Sequence, residues 1–259
     1  MKRIRRRPDE ALAPLCFEPP VTKDGFLPSE HRSVPCSFFA PHHYEPNYEY
    51  PLLIWLHGPG DDERQLYRVL PHISLRNYVA IGPRGTSAGE PGVAGYRWRQ
   101  DAAAIESAEQ QVLESVALAC KRYRVDTERI FLGGYQCGGT MALRIGLRHP
   151  RNFAGAFSLG GRFPRRLAPL AAWPEIRQLP LLIAQSRDSR AYPVRAACRE
   201  LSLFHAASLK VALRQYPCGD ELTTQMLRDL NVWLLEGYRG GSSEAASPPA
   251  HEVFQGEQN

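Results

Sequence analysis

The sequence predicts an α/β protein: a mostly parallel central sheet with helices on both faces. Two observations carry this. Short, continuous apolar runs bounded by turn residues recur along the chain, as expected of strands buried on both faces. Helix-period segments follow them in regular alternation. The length of 259 residues suits one large domain with a substantial core.

The elements follow in order. Residues 33–40 (SVPCSFFA) and 51–57 (PLLIWLH) read as strands, and 62–70 as a helix. A strand at 77–82 (NYVAIG) closes at Pro83. A long helix spans 101–123, where Ile105, Ala108, Val112, Val116, Ala119 and Tyr123 recur at three- and four-residue steps and form one stripe. Residues 129–135 (RIFLGGY) form a strand, 139–148 a helix closed by Pro150, and 153–159 (FAGAFSL) a strand. Strand 180–185 (PLLIAQ), helix 193–207, strand 209–216 (LKVALRQY) and helix 221–238 complete the body. The domain is expected over 31–239. A Pro-rich, irregular lead-in occupies 1–30, and the tail at 240–259 has the composition of a disordered segment.

Composition narrows the function classes. A hydrophobic fraction of 43% and a charged fraction of 23% are ordinary for a globular protein and exclude collagen, coiled coil and full disorder. Mean hydropathy is −0.37, and no stretch approaches the ~18 apolar residues of a membrane span. The net charge of +5 is spread along the chain. Only Lys2, Arg3, Arg5, Arg6 and Arg7 are concentrated, and they read as a solvated tail, so a nucleic-acid partner is not expected. The basic start runs into Pro8, Asp9 and Glu10 without an apolar segment, so no export signal is expected. The six cysteines show neither a zinc pattern nor a dense disulfide framework. A cytoplasmic protein with reduced thiols, no metal and no cofactor is the expectation.

In a parallel sheet the working residues lie in loops at the carboxyl ends of strands. Four such loops carry patterns: LHGPGDD (56–62), GGYQCGGTMAL (133–143), QSRDSRAYP (185–193) and YPCGDEL (216–222). Their order and spacing resemble the α/β-hydrolase fold. More closely, they resemble the phospholipase/carboxylesterase family, which includes acyl-protein thioesterases and reads LHG-x-GD, G-F-S-Q-G-G-x-M-A-L, D-x-x-x-P and G-H. The resemblance covers about residues 33–238. It implies a serine hydrolase with Ser, Asp and His in that chain order.

The sequence departs from that pattern at the chemistry. Gly134 and Gly138 flank the nucleophile position, but Gln136 occupies it, and a carboxamide cannot form an acyl-enzyme. A register shift would put Cys137 at the centre and Tyr135 where a small residue is needed. Gly219 is followed by Asp220 where the resemblance implies His, and a carboxylate cannot do an imidazole's two-sided work. Pro59 falls where one oxyanion N–H should be, and proline has none; Cys137 would supply the other. His57 matches a histidine that the family uses structurally. For the acid, a count back from Pro193 falls on Ser189; a one-residue insertion restores Asp188, the reading preferred here, while a plain surface carboxylate is the alternative.

The expectation is therefore a hydrolase-fold protein without serine-hydrolase chemistry, acting as a binding or scaffolding pseudoenzyme. The sharp turn at Gln136 should persist as architecture. Asp188 and Asp220 should face one small space, so that one carries a raised pKa or finds a cation from Arg187 or Arg190. Tyr96, Trp98 and Tyr135 are pocket candidates, or ordinary core. The partner would be an acyl- or ester-like small ligand or a protein. The alternative is an ester or thioester hydrolase using Cys137, or a misplaced nucleophile such as Ser158 or Ser186.

Overall fold

The computed structural model describes residues 35–87, 95–165 and 173–240, with side chains to residue 236. The chain divides into two units, Met1–Ser33 and Val34–Asn259. The first unit, and with it the expected lead-in, lies outside the described residues, as does the tail beyond residue 240.

The expected alternation is present. A seven-stranded sheet is built from β1 (Cys36–Phe39), β2 (Tyr50–Leu56), β3 (Val79–Pro83), β6 (Val125–Tyr135), β7 (Gly155–Leu159), β8 (Leu181–Ser186) and β9 (Val211–Tyr216). Their spatial order is β1-β3-β2-β6-β7-β8-β9. Only β1 runs antiparallel to its neighbour. Two short strands, β4 (Thr86–Ser87) and β5 (Tyr96–Arg97), pair separately; they are too short to leave a periodic signal in the sequence. The helices are α1 (Gln65–Ile73), α2 (Ala102–Arg122), α3 (Cys137–Arg148), α4 (Trp173–Gln178), α5 (Val194–Ala206) and α6 (Thr224–Gly240). The sequence reading also missed α4, at six residues barely more than a turn and a half.

The strand period sorts the core into two layers. Leu52, Ile54 and Leu56 of β2 point to one face; Leu53 and Trp55 point to the other. The first face meets α2, α3 and α5 through Val112, Ile145 and Phe204, and the second meets α1 and α6 through Leu66, Leu70 and Leu230. All seven β2 residues are buried, and each fully buried Leu or Ile contributes about 1.5–3 kcal/mol. Asp101 caps α2 by accepting from the Ala104 N–H at 3.1 Å.

Strand β6 pairs with β2 in two pieces. Pro51 faces Asp126, but Leu52 faces Ile130, so residues 127–129 are looped out of the ladder. The strand therefore starts four residues before the apolar run that the sequence shows.

Candidate functional site

The carboxyl ends of β2, β6, β8 and β9 bring the four patterned loops together. The sharpest feature is the turn from β6 into α3. Gln136 has φ +47° and ψ −113°, a backbone state that a residue with a Cβ rarely adopts. Such strain costs about 1–3 kcal/mol and persists only where the surroundings impose it. Here they do. Gln136 N–H donates to the Leu159 carbonyl at 2.8 Å, and its own carbonyl accepts from Thr140 N–H at 2.9 Å. The small residues around the turn are equally constrained. A Cβ at Gly138 would come to 2.5 Å from the His57 carbonyl oxygen and closer still to that of Leu56. The turn is thus retained, as expected.

The Gln136 side chain does not stand open to the cleft. Its Nε2 donates to the Tyr135 hydroxyl at 3.1 Å and to the Asp220 main-chain oxygen at 2.9 Å. The Tyr135 hydroxyl donates to that same oxygen. Two adjacent side chains at the end of β6 therefore clasp the backbone of the loop after β9. Partial burial pushes the Tyr135 phenol up from its ordinary pKa, so it remains a neutral donor.

The Asp220 carboxylate faces away from this clasp. It accepts from the Ser189 hydroxyl, from Arg190 N–H at 3.1 Å and from Ala191 N–H at 3.2 Å. The Ser189 hydroxyl foremost, then burial in the opposing sense and the two N–H groups, set its balance; the net effect holds the carboxyl below the usual Asp range. A carboxylate so stabilised is a poor proton acceptor at neutral pH.

This geometry corrects two expectations. Asp188 does not share a space with Asp220: its side chain is 60% exposed and meets Arg187 Nε at 3.4 Å. Ser189, which the plain count back from Pro193 indicated, is the residue opposite Asp220. Asp188, the residue before Ser189, is turned to solvent. With one carboxylate at the contact instead of two, the expected rise in pKa is replaced by a fall.

His57 is fully buried and structural. Gly85 N–H donates to Nε2 at 2.9 Å, so Nδ1 carries the proton and donates to the Gly58 carbonyl at 2.8 Å. Burial pushes this imidazole below its ordinary pKa. Both ring nitrogens are committed to the loops that carry Gly58 and Gly85, which leaves neither for acid–base work.

The substitute nucleophiles are no better placed. Ser158 is fully buried and its hydroxyl donates to the Gly161 carbonyl at 3.0 Å; Ser186 is 2% exposed and lies against the Cys218 thiol. Cys137 is the first residue of α3, and burial, the largest influence on it, pushes its thiol up from the ordinary value, the wrong direction for a nucleophile. Among the described residues no cluster of His, Cys, Asp and Glu could hold a metal ion.

An open depression of about 420 Å³ lies beside the turn, lined by Pro59, Cys137 and the 97–101 segment. Of the three aromatic candidates only Trp98 lines it. Tyr96 packs under the Arg84 guanidinium at 4.7 Å, and Tyr135 is engaged with Asp220. Arg84 in turn holds Glu63 through two bonds, at 2.6 and 2.5 Å. The indole of Trp98 is 4% exposed and lies tilted against His57 with ring centroids 5.5 Å apart, and its Nε1 has no acceptor among the described residues. An unsatisfied buried donor of this kind costs about 1–3 kcal/mol. Sequence reasoning did not single out Arg97, Arg99 and Asp101 on this wall: Arg97 ends the two-residue β5, Arg99 lies in the connection and Asp101 caps α2, and no periodicity marks such positions.

The comparisons agree with this layout. The family profile for phospholipase/carboxylesterase matches residues 45–235, well over half of the chain. The chain belongs to that family. Among solved structures it is similar to the carboxylesterase of Bacillus cereus (19% identity, TM-score 0.64, covering 80% of this chain and 96% of that one). It is also similar to acyl-protein thioesterase 2 of Zea mays (18%, 0.61, 79% and 99%) and to SOBER1 of Arabidopsis thaliana (18%, 0.60, 73% and 99%). At these identities the likeness establishes the α/β-hydrolase fold and no more. A search of curated proteins finds no match. No helix among the described residues is long and apolar enough to cross a membrane.

Proposed function

We propose that this family member is a pseudoenzyme: a binding or docking protein on the α/β-hydrolase fold without serine-hydrolase activity. One observation carries the reading. At the strained turn, where attack would have to start, an amide occupies the position and is tied to the main chain of Asp220, the residue that stands in the place of a base. Losing the nucleophile of a catalytic triad costs on the order of 10⁶ in rate. Losing one oxyanion donor, as at Pro59, costs about 10²–10³ more where the effects are independent.

The depression beside Cys137 is the natural seat for a small acyl- or ester-like ligand, and the clasped loop surface is an alternative place for a protein to dock. The reading of Cys137 as a nucleophile finds no support in its surroundings: its thiol is shifted upward and no imidazole is bonded to it among the described residues.

The test is hydrolysis of p-nitrophenyl esters and acyl thioesters by purified protein, with fluorophosphonate labelling in parallel. The expected result is turnover at the level of buffer and no label. Robust turnover that disappears in Gln136→Ala would overturn the proposal.

A further inference from the structure

The solvent side of α5 carries positive charge where the helix itself disfavours it. Arg195 stands in the first turn, which holds no acidic residue, and a cation at that end opposes the helix dipole. Arg199 follows one turn later on the same side, and like charges at that spacing repel. Both are exposed, and neither has an acidic partner among the described residues. The nearby carboxylates do not compensate. Glu200 is committed to the Tyr192 hydroxyl at 2.5 Å and to Phe163 N–H at 3.3 Å. Asp220 is held by Ser189 and two N–H groups, and Asp188 meets Arg187. Further cations gather at the same end: Arg190 is exposed in the turn that leads into α5, and Arg162 Nε donates to the Ala191 carbonyl. Natural chains break local rules of this kind mainly at functional positions.

A second observation does not involve charge. Leu203 is 63% exposed, more than any other large apolar side chain among the described residues. It continues the line of Arg195 and Arg199 by one more turn, so the three residues span about 12 Å of one helix side. Arginine forks match carboxylates or phosphates, and the leucine beside them calls for an apolar side chain. A single-stranded nucleic acid would stack its bases on exposed rings, but the exposed tyrosines, Tyr48 and Tyr67, lie before β2 and in α1. A bilayer takes up a broad apolar strip, and this side of α5 offers one exposed large apolar residue.

We infer that this side of α5 docks an acidic polypeptide segment, whose carboxylates meet Arg195 and Arg199 and whose apolar side chain covers Leu203. This rests on the docking reading of the function and names the chemistry of the partner.

The probe is a rhodamine-labelled helical peptide of repeated Glu-Ala-Ala-Leu, read by fluorescence anisotropy against purified full-length protein. Saturable binding is expected, at least ten-fold weaker when glutamine replaces glutamate in the peptide and in the double variant Arg195→Ala, Arg199→Ala. Leu203→Ser should weaken it at least three-fold. The double variant Arg76→Ala, Arg228→Ala removes the same charge from other exposed positions and should bind as the unaltered protein does. All these positions are exposed, so the variants should fold, and circular dichroism checks that. No saturable binding, or equal losses in the two double variants, would overturn the inference. Tighter binding of oligo(dT) or of phosphatidylserine vesicles, lost in the Arg195, Arg199 variant, would overturn it too. Arg195→Glu gives a separate readout: it should raise Tm while weakening the peptide, and a lower Tm would contradict the argument from misplaced charge. Hydrolysis of p-nitrophenyl butyrate in the same samples separates the two ideas. Peptide binding with turnover would keep the docking side and remove the non-hydrolytic reading. Neither binding nor turnover would remove the docking side alone.

Discussion

The side-chain amide of Gln136 donates to the main-chain oxygen of Asp220 at 2.9 Å, joining the loop after β6 to the loop after β9. The Tyr135 hydroxyl donates to the same oxygen, so two adjacent side chains hold one carbonyl. The Ser189–Asp220 contact adds the loop after β8, so three strand-end loops are fastened to one another.

The clasp and the strained backbone act in opposite directions, and substitutions can separate them. Gln136→Ala keeps the unfavourable φ and loses both amide bonds. Gln136→Gly loses the same bonds but releases the strain. The Gly variant should therefore exceed the Ala variant by about 1 kcal/mol, or roughly 2–4 °C in Tm. Thermal unfolding of the two variants side by side checks this, and equal midpoints would mean that the turn carries no strain.

A serine at the turn should be inert. Gln136→Ser restores a hydroxyl, but Asp220 is held ionised by Ser189 and two N–H groups and remains a feeble base, and Pro59 still offers no N–H. Activity on p-nitrophenyl butyrate should stay within a few-fold of background. A gain of a thousand-fold or more from this single change would show that another group supplies the base.

Acid should destabilise the fold through His57. Its pKa in the folded protein lies below the unfolded value of about 6.5, so the unfolded chain binds more protons in that window. Stability is full above about pH 6.5 and declines as the pH falls toward the depressed folded value. Asp220 adds a loss of the same sign lower down, below about pH 4, because its folded pKa is also depressed. Urea unfolding between pH 7.5 and 5 should show the first decline. In His57→Gln, less stable overall, the slope across this range should flatten.

Gly138→Ala should be severe, at 3 kcal/mol or more, because the new Cβ meets backbone carbonyls that cannot rotate away. Gly219→Ala serves as the control: its Cβ would meet only the flexible carboxylate end of Glu221, and a change within about 0.5 kcal/mol is expected. Chemical denaturation midpoints decide between the two sites.

Thiol reactivity distinguishes a buried helix-start cysteine from a nucleophile. At pH 7.5 Cys137 should be alkylated by iodoacetamide about ten-fold more slowly than the exposed Cys198. Mass spectrometry of peptides over a time course gives both rates. Faster labelling at Cys137 would favour thiol chemistry at the site.

Much of this molecule was legible from the chain alone. The runs PLLIWLH and PLLIAQ could only be strands covered on both faces, since their length and continuity suit no exposed element. Gly134, Gly138 and Gly139 around Gln136 announced a turn in which helix and strand approach closely. That an amide stands at 136, a carboxylate at 220 and a proline without an N–H at 59 is fixed by residue type, whatever the coordinates. Side-chain direction was not legible. One position along an irregular loop turns a residue from the site to solvent, and no periodic constraint says which. That is why Ser189, and not Asp188, meets Asp220, and why Tyr96 packs on Arg84 instead of lining the depression. The sequence decided which side chains stand at 59, 136 and 220, because covalent structure sets which atoms exist. Only the tertiary structure decided what took its place, because the clasp of Gln136 and Tyr135 on Asp220 joins groups more than eighty residues apart, and distance in space is settled by packing.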